Sequence, residues 1–425
     1  MKALLHPSEL KGSLFAPASK SAMQRACAAA LVRRGVSVLR NPGISNDDRA
    51  ALSIIRQLGA EWTEEEGTIT VRSNGVRPAG DFIDCHESGL SIRMFTSIAA
   101  LSEQRIDVRG SGSLSKRPMH FFDDVLPRLG VTVESKDGFL PLSVQGPLQA
   151  ANITVDGSLS SQYLTGLLFA YAAAEAHDVT ITVENLNSRP YIDLTLHILR
   201  SFGLPVPENR NFEQFYFSRS ALSQPESISY TVEGDWSNAA FLLVGGAIAG
   251  DLHLKGMDLQ SVQGDKAILE VLRRAAARLE ERNEGLQIRR SELTAFEFDA
   301  TDCPDLFPPL VALAAHSKGT SRIRGVHRLT HKESDRAATL QEEFGKLQVP
   351  VTFEDDVMLV QGTGSIQPAE VSSHNDHRIA MATAVAGLGG HAPLTITGAE
   401  AVNKSYPQFW NDIRKLGAQL SLTDN

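Results

Sequence analysis

A unit of about 70 residues recurs six times along the chain, and this period limits the possible folds more than any single motif does. Strand-like runs begin at residues 37, 106, 179, 252, 321 and 394, so successive starts are separated by 69, 73, 73, 69 and 73 residues. Each run leads into a polar loop, then into a segment of helical apolar periodicity, often with a glycine where that helix should stop. Thin solenoids are built from repeats of about 20 to 50 residues, and this period is too long for one. Each copy therefore reads as a small α/β module, and six copies account for nearly the whole chain.

The fifth copy, SRIRGVHRLTHKESDRAATLQEEFGKLQVPV, carries the clearest chemical signal. Its apolar spacing predicts a helix opened by Ser334 and ending near Gly345. Lys332 and Arg336, four apart, would share a face of the first turn, where the helix dipole is already positive and like charges repel. Such a placement costs stability unless an anion sits among these groups, held by side chains and free backbone N–H together.

Other copies repeat this arrangement. In PASKSAMQR, Lys20 and Arg25 crowd a helix start, where Ser21 and Gln24 have the spacing of a capping box. Gly89 and Arg93 lie in a loop running into an apolar helix, and Arg117 precedes Pro118 at another helix start. Ser160, Ser161 and Gln162 bring donors to a third, and Ser188, Arg189, Pro190 and Tyr191 precede a fourth. Asp305, in CPDLFPPL, stands where an N-cap is common. Arg378 heads an Ala-rich helix, Lys404 a helix in the last copy, and EGDWSNAAF around Gly234 interrupts the modular spacing as a domain crossing would.

Composition sets the class. The net charge of -9 argues against nucleic acid as a partner but not against a small anion, because screening over about 10 Å lets a local cluster of cations dominate. No apolar run is long enough to cross a membrane. Cys27, Cys85 and Cys303 show no metal or disulfide spacing, which makes a reducing, cytoplasmic setting the expectation. The N-terminal segment has neither the apolar stretch of a signal peptide nor the Arg-rich, Ser-rich character of a transit peptide.

Taken in order from Pro17 to Pro407, the motifs PASKSAMQR, SGLSIR, KRP, DGSLSSQ, SRPYID, EGDWS, PD, HKESDR, NDHRIAMA and NKSYP resemble those of the EPSP synthase family, the 3-phosphoshikimate 1-carboxyvinyltransferases. The resemblance implies a two-domain, inside-out α/β barrel in which each domain holds three βαβαββ repeats. It places residues 1–17 and 234–425 in a discontinuous lower domain and 18–233 in an upper one, with the active site in the cleft between them. The implied reaction moves the enolpyruvyl group of phosphoenolpyruvate to the 5-hydroxyl of shikimate 3-phosphate and releases phosphate, with no metal or organic cofactor, in a cytoplasmic monomer.

By the same resemblance Ser21, Arg25, Ser160, Ser161, Ser188 and Lys332 would hold shikimate 3-phosphate. Arg117, Arg336, Arg378 and Lys404 would hold phosphoenolpyruvate, with Lys20, Gly89 and Gln162 between the two ligands. Asp305 would be the base for the 5-hydroxyl, Glu333 the acid that protonates the methylene carbon, and Lys20 a further candidate for proton transfer. Ala18 stands where glycine is usual, so a positive φ there would be strained. Glu87 adds a negative charge where asparagine is common, and Arg328 occupies a position some members fill with asparagine. The alternatives are the sister enzyme that acts on a UDP-linked amino sugar, UDP-N-acetylglucosamine enolpyruvyl transferase, and an inactive anion-binding homologue.

Overall fold

A computed structural model describes residues 1–219, 225–282, 284–330 and 332–424. His331, within the HKESDR motif, lies outside the described residues. Two compact units account for the chain: a discontinuous one, Met1–Pro17 with Glu233–Asn425, and a continuous one, Ala18–Val232.

All six strand-like runs are strands: Gly35–Arg40, Ile106–Arg109, Val179–Glu184, Gly250–Lys255, Lys318–Arg324 and Leu394–Thr397. Among the described residues they belong to six four-stranded sheets, three in each unit. The second copy shows the pattern. Phe82–Asp84 runs parallel to Ile106–Arg109, which pairs antiparallel with Phe139–Gln145, and Thr132–Lys136 closes the edge.

Twelve α-helices alternate with these strands among the described residues: α1 (Lys20–Val32), α2 (Asn46–Gln57), α3 (Gly89–Ala99), α4 (His120–Val125), α5 (Ser161–Ala173), α6 (Arg189–Ser201), α7 (Trp236–Ala249), α8 (Ile268–Arg274), α9 (Phe307–Ala315), α10 (Arg336–Lys346), α11 (His377–Leu388) and α12 (Phe409–Lys415). The second copy thus reads βαβαββ, as expected. Odd-numbered helices are buried on nearly every side, α7 over its whole length, and they form the centres of the two cores with the sheets outside. Such all-round burial is why their sequences are apolar rather than amphipathic. Each buried Leu, Ile or Phe contributes about 1.5–3 kcal/mol there. The even-numbered α2, α6 and α10 keep a polar face.

Two strands trade places, which the repeat alone does not reveal. Leu10–Phe15 precedes α1 but pairs in parallel with Gly250–Lys255, and Ser227–Thr231 precedes α7 but pairs with Gly35–Arg40. The chain passes from one unit to the other after Pro17 and after Val232. In the sixth copy the strand that should follow Leu420–Thr423 is supplied by Lys2–Leu5, which lies between Leu394–Thr397 and Leu420–Thr423.

The even-numbered helices of four copies are followed by a left-handed glycine, at Gly59, Gly130, Gly203 and Gly417. In the other two copies Ala276 (φ 61°) and Gln348 (φ 62°) take that conformation. α10 ends at Lys346, next to Gly345, where its end is expected. The start of this helix differs from expectation: Asp335 is its N-cap, accepting from the Ala338 N–H, so Ser334 and Lys332 precede the helix and Lys332 shares no helical face with Arg336. Asp wins because its carboxylate reaches the N3 amide and carries charge favourable to the dipole.

Candidate functional site

Helix starts position the polar side chains in both units. In the discontinuous unit Arg336, the first residue of α10, is the hub. Its guanidinium donates to Asp305 Oδ1 at 2.7 Å, to Glu333 Oε2 at 2.5 Å and, through Nε, to Asp376 Oδ2 at 2.8 Å. Arg378 donates to the other oxygen of Asp305 at 2.9 Å and to its backbone carbonyl at 3.3 Å. Lys332 Nζ lies 3.6 Å from Asp305 Oδ1. Lys404 donates to the Asn375 carbonyl at 2.8 Å. These contacts bring Asp305, Lys332, Glu333, Arg336, Arg378 and Lys404 into one neighbourhood.

The charges shape one another. Burial alone would raise the Asp305 carboxyl, but Arg378, Lys332 and Arg336 outweigh it and hold the group well below the usual carboxylate range. For Lys332, burial pushes the ammonium down to about 8 although Asp305 pulls the other way. Arg336 keeps its charge against burial because Asp376, Glu333 and Asp305 surround it. Helix starts in this unit are therefore not bare cations. They are cations neutralised by carboxylates that an incoming anion must displace.

Asp305 does not act as an N-cap. It sits in the 3₁₀ turn Pro304–Leu306, and Leu306 stands at the cap position of α9. Its carboxylate is left to the arginines. The cap of α11 is Asp376, which accepts from the Arg378 N–H while bonding Arg336 and the Ser334 hydroxyl. Sequence reasoning passed over Asp376, although it stands inside NDHRIAMA two residues before Arg378.

In the continuous unit Ser19, not Ser21, caps α1, accepting from the Ala22 N–H at 3.3 Å. Lys20, the first residue of α1, pairs with Asp47 at 2.9 Å, another carboxylate that sequence reasoning missed. Arg25 is 1% exposed and donates to Thr195 Oγ1 at 2.9 Å, the Ser21 carbonyl at 2.9 Å and the Tyr191 carbonyl at 3.4 Å. No carboxylate pairs with it among the described residues, and burial lowers its pKa to about 10. A buried cation held only by neutral oxygens is suited to accept an anion.

Gly89 opens α3, Ser161 opens α5 with Ser160 as its cap, and Ser188 sits in left-handed backbone (φ 58°) ahead of α6. Arg117 ends the 3₁₀ turn Gly112–Lys116, ahead of α4 rather than in it, and donates to Ser113 Oγ at 3.0 Å. Gln162 accepts from Arg93 at 2.9 Å, so Arg93, quoted within SGLSIR but given no role, belongs to this cluster.

The departures resolve differently. Ala18 has no positive φ, so no strain arises from the missing glycine. Glu87 packs against Gly112, where a Cβ would come within 2.5 Å of the Glu87 carboxyl carbon, and so braces the turn that ends on Arg117. Arg328 is largely buried, which lowers its pKa against the pull of Asp302 and Asp305. At Gly89 the close neighbour is a charged one: a Cβ there would lie 2.6 Å from Arg117 Nη1. Gly89→Ala should therefore push that guanidinium aside with little loss of stability, raising the KM of any anion bound by Arg117 roughly tenfold. Steady-state kinetics and a thermal melt together check this, and an unchanged KM would detach Arg117 from the site.

With this geometry in view, three comparisons bear on the chain. A family profile described as EPSP synthase (3-phosphoshikimate 1-carboxyvinyltransferase) matches residues 5–413. A 3-phosphoshikimate 1-carboxyvinyltransferase of Clostridium perfringens is 35% identical over 422 residues, 99% of each chain, and one of Methanocorpusculum labreanum is 34% identical over 423 residues, again 99% of each. The solved EPSP synthase of Acinetobacter baumannii superposes with a TM-score of 0.81 at 25% identity, covering 99% of this chain and 100% of that one.

Proposed function

The chain belongs to the EPSP synthase family, and from that premise we infer the chemistry of its two clusters. It is an enolpyruvyl transferase, moving the enolpyruvyl group of phosphoenolpyruvate to the 5-hydroxyl of shikimate 3-phosphate in aromatic amino acid biosynthesis. We assign shikimate 3-phosphate to Ser21, Arg25, Ser160, Ser161, Ser188 and Lys332. Phosphoenolpyruvate falls to Arg117, Arg336, Arg378 and Lys404, and Lys20, Gly89 and Gln162 lie where the ligands meet.

Asp305 takes the proton of the 5-hydroxyl as its oxygen adds to the enol carbon, while Glu333 delivers a proton to the methylene carbon. Loss of phosphate and of a methyl proton from the tetrahedral adduct then restores the double bond. The observation that carries the reading is that Arg336 bonds both carboxylates, at 2.7 and 2.5 Å. In this arrangement Asp305 is a poor base, because Arg336 and Arg378 hold its proton affinity down. Anionic phosphoenolpyruvate competes for those guanidiniums, and as they turn to it Asp305 becomes more basic. The base is thus switched on by the ligand that needs it.

We place the enzyme in the cytoplasm as a monomer working without metal or organic cofactor. No helix among the described residues is long and apolar enough to cross a membrane. Phosphate release tests the reading. Release with shikimate 3-phosphate and phosphoenolpyruvate is expected, and release only with the UDP-linked amino sugar would assign the sister reaction. Silence with both acceptors would leave an anion-binding homologue.

A further inference from the structure

We propose that Glu343 and His374 are positioning residues that set the direction in which Arg336, Arg378 and Lys404 meet phosphoenolpyruvate. The inference rests on the assignment of those three cations made above. Glu343 lies seven residues beyond Arg336 on α10, two helical turns on, and therefore on the same buried face. The carboxylate is 0% exposed. Three groups use it: the Ser372 N–H at 2.9 Å, His374 Nε2 at 2.6 Å and Lys346 Nζ at 2.8 Å. Lys346 also reaches Glu342 at 3.1 Å, which keeps the surrounding charge balanced.

The segment Glu343 grips is an unusual one. His374 (φ 50°) and Asn375 (φ 56°) are consecutive left-handed residues, a conformation costing about 1–2 kcal/mol each for residues with a Cβ. That turn delivers the Asn375 carbonyl to Lys404, the Asp376 carboxylate to Arg336, and the start of α11 to Arg378. α10 is therefore fastened to the turn at two points, by Arg336 to Asp376 near its start and by Glu343 to His374 two turns later. One fastening alone would let the helix pivot about it. Two fix the guanidinium of Arg336 in direction as well as place, which binding geometry needs to within about 0.5 Å.

His374→Asn separates the link from the backbone, because asparagine tolerates left-handed backbone but is too short to reach Glu343. Glu343→Gln keeps an acceptor for Ser372 N–H and removes the charge. His374→Asn should raise the KM for phosphoenolpyruvate about tenfold, with the KM for shikimate 3-phosphate within twofold and an unchanged melt. Adding Glu343→Gln should change little more, since both residues serve one link. If both single variants leave the KM for phosphoenolpyruvate within twofold while Arg378→Ala raises it, the positioning role is wrong and the cluster assignment stands. If Arg378→Ala is also without effect, the assignment fails and carries this inference down with it. Effects of the two substitutions that multiply instead of saturating would likewise overturn the shared link.

Discussion

Asp305→Asn is expected to lower kcat by about two to four powers of ten while leaving phosphoenolpyruvate bound at least as tightly as before. Asparagine keeps the shape and can still accept hydrogen bonds, so the turn Pro304–Leu306 has no reason to move. It cannot take a proton from the 5-hydroxyl. The binding half of the expectation follows from charge. Asp305 occupies Arg336 and Arg378 at 2.7 and 2.9 Å, and an incoming anion must compete with it. Removing that competitor leaves the cations more available to the ligand. Calorimetric titration of phosphoenolpyruvate in the presence of shikimate 3-phosphate, set beside single-turnover rates, separates the two effects. Parallel loss of affinity and rate would make Asp305 a scaffold for the arginines instead of a base.

Arg336→Ala is the substitution with the largest combined effect, because one guanidinium serves three carboxylates and one of them, Asp376, is 0% exposed. Cutting away the guanidinium that bonds Asp376 leaves a buried charge poorly compensated, and breaking a buried pair in this way costs about 3–5 kcal/mol. The urea midpoint should fall accordingly, and phosphoenolpyruvate turnover should be lost. Arg336→Lys distinguishes the roles: a lysine restores charge but not the fork that reaches Asp305, Glu333 and Asp376 at once. It should regain part of the stability and little of the activity. A stability change for Arg336→Ala within about 0.5 kcal/mol, the usual range for surface substitutions, would mean that water reaches Asp376 once the guanidinium is gone.

These expectations differ from what helix-start cations suggest in sequence, where Lys332 and Arg336 look like uncompensated charge awaiting a ligand. Two of the three carboxylates that neutralise Arg336 come from residues 31 and 40 positions away, and Asp47 is 27 positions from Lys20. A pattern read through local spacing has no access to such pairs. Local signals did carry the architecture. Six strands fell within three residues of the starts read from apolar runs, because a buried central strand must be apolar wherever it occurs in the repeat. The exchange of Leu10–Phe15 and Ser227–Thr231 was invisible for the opposite reason, since either strand would suit either sheet by composition. At Asp335 and Ser19 the error was one or two positions among neighbouring polar residues, all able to cap. Asp305 could be picked out as a candidate but not its ion pairs, because these depend on two arginines brought in from α10 and α11.

The position of Lys2–Leu5 between Leu394–Thr397 and Leu420–Thr423 has a consequence for the order of events during synthesis. Lys2–Leu5 leaves the ribosome well ahead of both these strands and is without its neighbours until they emerge. At about 5–20 residues per second, that interval is roughly 20–80 s. Ala18–Val232 contains all the strands of its own three sheets, so it can complete its core while the rest of the chain is still being made. The N-terminal segment meanwhile waits as a tether with an unpaired, apolar edge, exposed to other nascent chains for a time that is long against the microseconds of strand pairing. Emergence of Leu420–Thr423, not the start of translation, is the moment at which the discontinuous unit can close.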